Sequence, residues 1–331
     1  MTAEEMVERA FVPVQAHIAA GKIPGGVLGV VTKDGDRAVL FDGAAQIDPD
    51  HRHLTRETYF DLASLTKVIF TTTRILALAR EGRIDLDAPL TTIIPDFRQY
   101  DANCWERQVT FRECLGHITP FPGVEPIYTY GSDPNMLRAF VLQREWRKLG
   151  TPVYSDINFI LLGIALERIA GHGIREFDLP DGFTWAPDPG NTAATEFCAW
   201  RGRVMVGEVH DENCWALQGT GHAGLFGTID AVLDYAKTLL DGSNPDMPVM
   251  KRYLSGTRTH GWEHPYRGWS GGDVCSRYAL GHTGFTGTGL WIEFRKGFAW
   301  SLLTNRVHPS RHFDSGIFDL RRTVGDIING G

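Results

Sequence analysis

Residues 60–90 read FDLASLTKVIFTTTRILALAREGRIDLDAPL. An aromatic residue and a small-residue turn lead into a long segment. Its apolar residues Val68, Ile75, Leu76 and Leu78 recur on one helical face. Gly82 suits the end of that helix. At its start stand Ser64 and Lys67, a hydroxyl and an amine one turn apart. Helical residues i and i+3 share a face, with Cβ atoms about 5–6 Å apart. A serine becomes a nucleophile when a nearby base takes its proton. A lysine is that base only when burial or neighbouring cations lower its pKa. The first turn also offers free backbone N–H groups to an oxyanion. The plainer reading of the same residues is a helix cap beside a solvated lysine.

Upstream, GGVLGVVTKDGDRAVLFDGAA (25–45) holds two β-rich runs, 27–32 and 38–42, around an Asp-Gly turn, which predicts a hairpin. Before it, MTAEEMVERAFVPVQAHIAAG reads as an amphipathic helix. Downstream, GTGLWIEF (287–294) and FAWSLLTNR (298–306) flank RKG as a second hairpin, followed by a helix over about 310–328. The simplest packing joins both hairpins in one antiparallel sheet with the terminal helices on a face. The middle supplies helices at 154–171, capped by Ser155 or Asp156, and at 227–242, capped by Thr228. The expectation is therefore an α+β fold in a single domain over 1–331. Its sheet lobe spans about 1–60 and 265–331, and its inserted, mainly helical lobe about 61–264.

The chain has 331 residues, 43% hydrophobic and 22% charged, with a net charge of −7. That balance lacks the clustered basic face of a nucleic-acid binder. Arg321-Arg322 and Arg201-Gly202-Arg203 are too short for basic tracts and read as solvated. No apolar run reaches the ~18 residues of a membrane span. The acidic N-terminus lacks a signal-peptide pattern, and five scattered cysteines without CxxC pairs fit reduced thiols, so a cytoplasmic location is expected. No metal-ligand spacing stands out. His51-Arg52-His53 reads as a solvated loop.

Two more segments carry chemistry. PVYSDINF places Tyr154 two residues before Asp156 at a helix entry, and GHTGFTGTGLWIE places His282, Thr283 and Gly284 before a strand. With Ser64 and Lys67, in this order, they resemble the S-x-x-K, Y-x-N and K-T-G motifs of serine β-lactamases and penicillin-binding proteins. The Y-x-N form points to the class C side, with its esterase, DD-peptidase and D-aminopeptidase relatives. The segments LAREGRIDLDAPL and VHDENCWALQGTGHAGLF add to a likeness spanning about residues 10–328.

The resemblance implies a cofactor-free serine hydrolase acting through an acyl-enzyme on a small ester, amide or β-lactam. Ser64 corresponds to the nucleophile, Lys67 to the general base and Tyr154 to the phenol that shuttles its proton. The N–H groups of Ser64 and Phe285 correspond to the oxyanion donors, and Gly284 to a position of close substrate approach. A class C-type β-lactamase, an acyltransferase and a catalytically weak binding protein on this fold are the alternatives.

The departures lie at two positions. Asp156 stands where the family pattern has Asn and accepts hydrogen bonds without donating an amide's. It either pairs with Lys67, keeping it protonated, or caps the helix. Asn158, two residues on, offers an amide. His282 stands where lactamases carry lysine, so a fixed charge becomes one expected only below a pKa near ~6.5. His117 is expected to hold a loop near the site, His222 to make a buried structural bond, and His210, Asp211 and Glu212 to fix a loop. Trp185, Trp200, Trp215 and Trp262 are expected in the core or the pocket wall.

Overall fold

The structure is a computed structural model and describes residues 1–330. Both hairpins form, and they share one sheet. Strands β1 (Gly25–Thr32) and β2 (Arg37–Gln46) turn through Asp34-Gly35, and β3 (Arg52–His53) adds an edge. From the far end of the chain come β4 (Leu280–Thr283), β5 (Gly289–Glu293) and β6 (Phe298–Thr304). The order is β3-β2-β1-β6-β5-β4, antiparallel throughout. Leu28 faces Leu302 and Val30 faces Trp300 where the two ends of the chain meet.

Helix α1 (Ala3–Ala19) starts on a capping box of Thr2 and Glu5 and buries Met6, Val7, Ala10, Phe11 and Val14 against the sheet. The closing helix α5 (Ile317–Ile328) packs beside it. It is shorter than the 310–328 expected. Gly316, at φ +64°, starts it, and residues 310–315 are irregular, with a turn at 311–312. The opposite sheet face is covered by α4 (Ile229–Leu240), whose N-terminal Thr228 side chain accepts from the Ala231 N–H at 3.3 Å. A Cβ on Gly29 would meet Leu233 at 2.7 Å, so glycine lets this helix approach closely. The expected helical lobe over 61–264 is corrected accordingly. Its helix α4 packs on the sheet, against β1 and β6.

The inserted lobe is built around α3 (Asp156–Ala170), where every residue from Ile157 to Leu166 is buried. A helix apolar all round needs neighbours all round. One is the helix that follows Ser64. It begins at Leu65, widens into a π-helical turn over Lys67–Thr72 and continues as α2 (Thr73–Arg80). No helix among the described residues is long and apolar enough to cross a membrane. The five cysteines are free thiols.

Candidate active site

The chain enters the site through the short strand Phe60–Asp61, paired with Phe226–Gly227. The buried Asp61 carboxylate accepts the Ala63 N–H at 2.8 Å and the His210 N–H at 2.6 Å. Ala63 is thereby held at φ +47°, a left-handed conformation costly for a residue with a Cβ. This turn presents Ser64 at the cleft while the following residue, Leu65, goes into the core. No protein acceptor takes the Ser64 N–H among the described residues.

Lys67 is fully buried. Its Nζ donates to Ser64 Oγ at 2.9 Å and to the His222 carbonyl at 3.1 Å, and pairs with Asp156 Oδ1 at 2.8 Å. Three acceptors around one nitrogen match an ammonium, which has three donors and no lone pair. Burial pulls the amine's pKa down, but the Asp156 charge, followed by Tyr154, outweighs it and holds the pKa above the ordinary lysine value. This resting ammonium, held by Asp156, opposes the general-base role expected of Lys67. Of the two readings of Asp156, the pairing one describes the structure. Ser155 holds the N-cap position, yet its hydroxyl donates to the Pro122 carbonyl at 2.6 Å instead of capping the helix.

Tyr154 lies against Lys67, whose Nζ is 5.0 Å from the ring centroid. Its hydroxyl is buried beside Lys67 and Ser64 without a well-formed hydrogen bond to either. Burial, the larger influence, raises the phenol's pKa against the lowering effect of Lys67. His117 packs against the ring at 4.3 Å between centroids, tilted by 30°, and accepts the Ser155 N–H at 3.1 Å, tying the Tyr154 loop as expected. Asn158 does not reach the cleft. It is fully buried, with Oδ1 accepting from Thr119 at 2.7 Å and Nδ2 beside His117 at 3.4 Å. Its expected substrate-binding role is corrected, because helix α3 turns position 158 into the core.

The strand edge closes the site. His282 and Thr283 lie on β4 itself, and residues 284–288 form the turn into β5. A Cβ on Gly284 would meet Thr288 Oγ1 at 2.1 Å and the Leu62 carbonyl at 2.5 Å. Only glycine lets this turn seat on the Ser64 turn. Thr286 and Thr288 fasten the two by donating to the Asp61 and Leu62 carbonyls at 2.7 and 3.1 Å. Phe285 N–H, like that of Ser64, has no protein acceptor among the described residues. His282 Nδ1 contacts the Thr283 carbonyl at 2.9 Å and so carries the proton, leaving Nε2 as an acceptor. Burial, then the charges of Lys67 and Arg258, lower its pKa to about 3. The expectation of a charge appearing near pH 6.5 is corrected, since His282 is neutral throughout the ordinary range.

Ser64, Tyr154, Asp156, His282, Thr283, Gly284 and Phe285 line one cleft of about 910 Å³. Arg258, Arg306 and Arg321, also in its wall, were not among the residues expected there. Arg258 pairs with Glu263 at 3.4 Å and lies 5.4 Å over the Tyr154 ring. Isolated in SGTRTHGW, it carries no motif signal. His222 is buried between Thr220 and Asp211, and Asp211 takes the Cys214 N–H at 2.7 Å, so these residues fix their loop as expected. Among the tryptophans, Trp262 is core, whereas Trp200 and Trp215 are partly exposed and touch each other.

Fold and site together define a protein of the serine hydrolase class, with a Ser-x-x-Lys turn set against a strand edge. A family model described as Beta-lactamase matches residues 12–321, and the chain belongs to that family. Curated relatives include an N-acetylmuramyl-L-alanine amidase of Bacillus subtilis, 26% identical over 92% of this chain and 80% of the relative. A putative D-alanyl-D-alanine carboxypeptidase of Salmonella typhimurium is 26% identical over 84% and 76%. Among solved structures, EstCE1, described as a hydrolase with promiscuous acyltransferase activity, matches 99% of both chains with a TM-score of 0.76 at 17% identity. A class C β-lactamase matches 98% of both at 0.75 and 16%. At these identities the structures establish the fold.

Proposed function

We propose that this protein hydrolyses small esters or amides through an acyl-enzyme on Ser64, and that it favours substrates without a carboxylate beside the scissile bond. The observation that carries the reading is Ser64 Oγ, 2.9 Å from a buried Lys67 ammonium, in a cleft edged by a neutral histidine. The substrate carbonyl oxygen sits between the N–H groups of Ser64 and Phe285. Ser64 Oγ attacks the carbonyl carbon. Its proton passes to the Tyr154 oxygen as the Tyr154 proton passes to the leaving oxygen or nitrogen. Lys67 stabilises the negative charge developing on Ser64 Oγ without itself changing protonation state. Water then attacks the acyl carbon and returns a proton through Tyr154 to Ser64, releasing the acid.

Two kinds of relative support acyl chemistry of this sort, those named for amide cleavage and the structure described as a hydrolase with promiscuous acyltransferase activity. The second reading is turnover of carboxylate-bearing substrates such as β-lactams, favoured by Arg306, which lines the cleft without a carboxylate partner. The test is kcat/KM for a neutral ester and a cephalosporin between about pH 5.5 and 8.5. The ester is expected to be preferred. Because His282 protonates only near pH 3, its titration should give the cephalosporin no gain as the pH falls through this window. Introducing a fixed charge with His282→Lys should shift preference towards the cephalosporin by roughly ten- to a hundredfold. A wild-type enzyme that prefers the cephalosporin, with no gain from lysine, supports the second reading.

Asp156 makes a separate prediction. In the wild type, the Lys67 amine stays protonated across the working range. Asp156→Asn removes its strongest stabilising charge, so the amine's pKa falls and the free base gains population as the pH rises. Acylation by the variant should therefore increase with pH where the wild type is flat, as stopped-flow kinetics with an activated ester would show. Identical profiles would mean that Asp156 does not set the protonation of Lys67.

A further inference from the structure

Arg321 was expected to be a solvated residue of a short basic pair, yet it is 3% exposed. Helical spacing accounts for this. Ile317, Val324 and Ile328 are buried on α5, and position 321 lies between them on the same face. Its guanidinium has no carboxylate in ion-pair range among the described residues. Instead, Nη2 donates to the Gly284 carbonyl at 2.9 Å and to the Thr288 carbonyl at 2.7 Å. A buried cation without a counter-charge is expensive. Two backbone carbonyls at one end of a turn offset only part of that cost.

The Gly284 carbonyl belongs to the same peptide unit as the Phe285 N–H. That N–H is free of protein acceptors and lies in the turn packed on the Ser64 turn. The next carbonyl, that of Phe285, is also held by a guanidinium. It accepts from Arg306 Nε at 2.8 Å and Nη2 at 2.6 Å. The peptide presenting the Phe285 N–H is thus held by Arg321, and the peptide that follows it by Arg306.

We infer that Arg321 is a positioning residue for the oxyanion hole, polarising the Gly284–Phe285 peptide from behind so that its N–H donates more strongly to the developing oxyanion. A cation at the carbonyl end draws electron density towards oxygen and leaves the N–H more positive. Charge-assisted hydrogen bonds are about twice as strong as neutral ones, and chains of bonds polarise one another. The buried charge also sits, uncompensated, on the side of the peptide away from the reacting carbonyl. Its field favours a negative oxygen there over a neutral one, which is transition-state stabilisation rather than substrate binding. The inference rests on the proposed acyl-enzyme reading, with Phe285 N–H as an oxyanion donor.

The test separates charge from scaffolding. Arg321→Lys keeps a cation, whereas Arg321→Gln keeps a neutral donor for a carbonyl. Each variant is titrated at Ser64 with a fluorophosphonate, so that rates are counted per competent site. Turnover of an activated ester is then measured, together with the ³¹P resonance of the phosphonylated serine, whose oxygen occupies the oxyanion position. Arg321→Gln is expected to lower kcat by about tenfold or more with KM little changed, a fraction of the ~10²–10³ lost on deleting an oxyanion donor outright. Its ³¹P resonance should move. Arg321→Lys should lose less than about fivefold and keep the wild-type resonance. Glutamine equalling or exceeding lysine would show a purely structural role and overturn the inference. If the glutamine variant does not fold, a lysine variant with a shifted resonance and a loss above about tenfold overturns it alone. Failure of the wild type to be labelled at Ser64 would instead overturn the acyl-enzyme reading.

Discussion

Replacing Ser64 by alanine should abolish ester turnover and fluorophosphonate labelling together, with a rate loss on the order of 10⁴-fold or more. The fold should persist. Ser64 Oγ is one of three acceptors around Lys67, and Asp156 and the His222 carbonyl remain when it is removed. The buried ammonium therefore keeps its counter-charge and its hydrogen bond to the His222 carbonyl. The thermal midpoint should stay near that of the wild type while activity disappears, a separation that a merely structural serine would not produce. Turnover per mole of folded protein and the labelling stoichiometry check this directly. Full activity in the alanine variant would eliminate Ser64 as the nucleophile.

Replacing Tyr154 by phenylalanine should slow acylation by about 10²–10⁴-fold, the range associated with a positioned proton-transfer group. The ring packs against His117 and beneath Lys67, and phenylalanine retains both contacts. The buried hydroxyl lies beside Lys67 and Ser64 without a well-formed hydrogen bond to either, so its removal costs little internal hydrogen bonding. The loss should therefore fall on kcat and leave KM and stability nearly unchanged. The effect is expected to be large because Lys67, held as an ammonium, is not available to take the proton instead. Single-turnover kinetics with a chromogenic ester measure it. Acylation of the phenylalanine variant at the wild-type rate would place the proton's exit elsewhere.

What the sequence made legible was local. Asp-Gly between two β-rich runs marked the first hairpin, and Arg-Lys-Gly the second. Ser64 and Lys67, Tyr154, and the run from His282 to Phe285 each stood in a short recognisable pattern. What stayed hidden depends on distant parts of the chain. Ala63 is forced left-handed by Asp61, which is itself tied to His210 far along the chain. Arg258 and Arg306 reach the cleft from loops without periodicity or motif. Asn158 looked like a substitute amide because it is near Tyr154 in sequence, but two residues along a helix turn it about 200° away from Asp156. Arg321 was different. The apolar period of α5 already placed it on the buried face, and the adjacent Arg322 disguised it as half of a solvated pair. The protonation of Lys67 was one of two readings of Asp156 in the sequence, and choosing it needs the acceptors from Asp156 and His222 to be seen together.

The central claim is a covalent acyl-enzyme on Ser64 formed preferentially from substrates without a carboxylate. Intact-protein mass spectrometry after rapid mixing with a neutral activated ester, a D-aminoacyl amide and a cephalosporin, followed by peptide mapping, tests it most directly. The expected result is a transient mass gain of one acyl group from the ester or the amide, on the peptide carrying Ser64, decaying as substrate is exhausted, with little adduct from the cephalosporin. Product release with no adduct on Ser64 under any quench time, or an adduct from the cephalosporin alone, would contradict it.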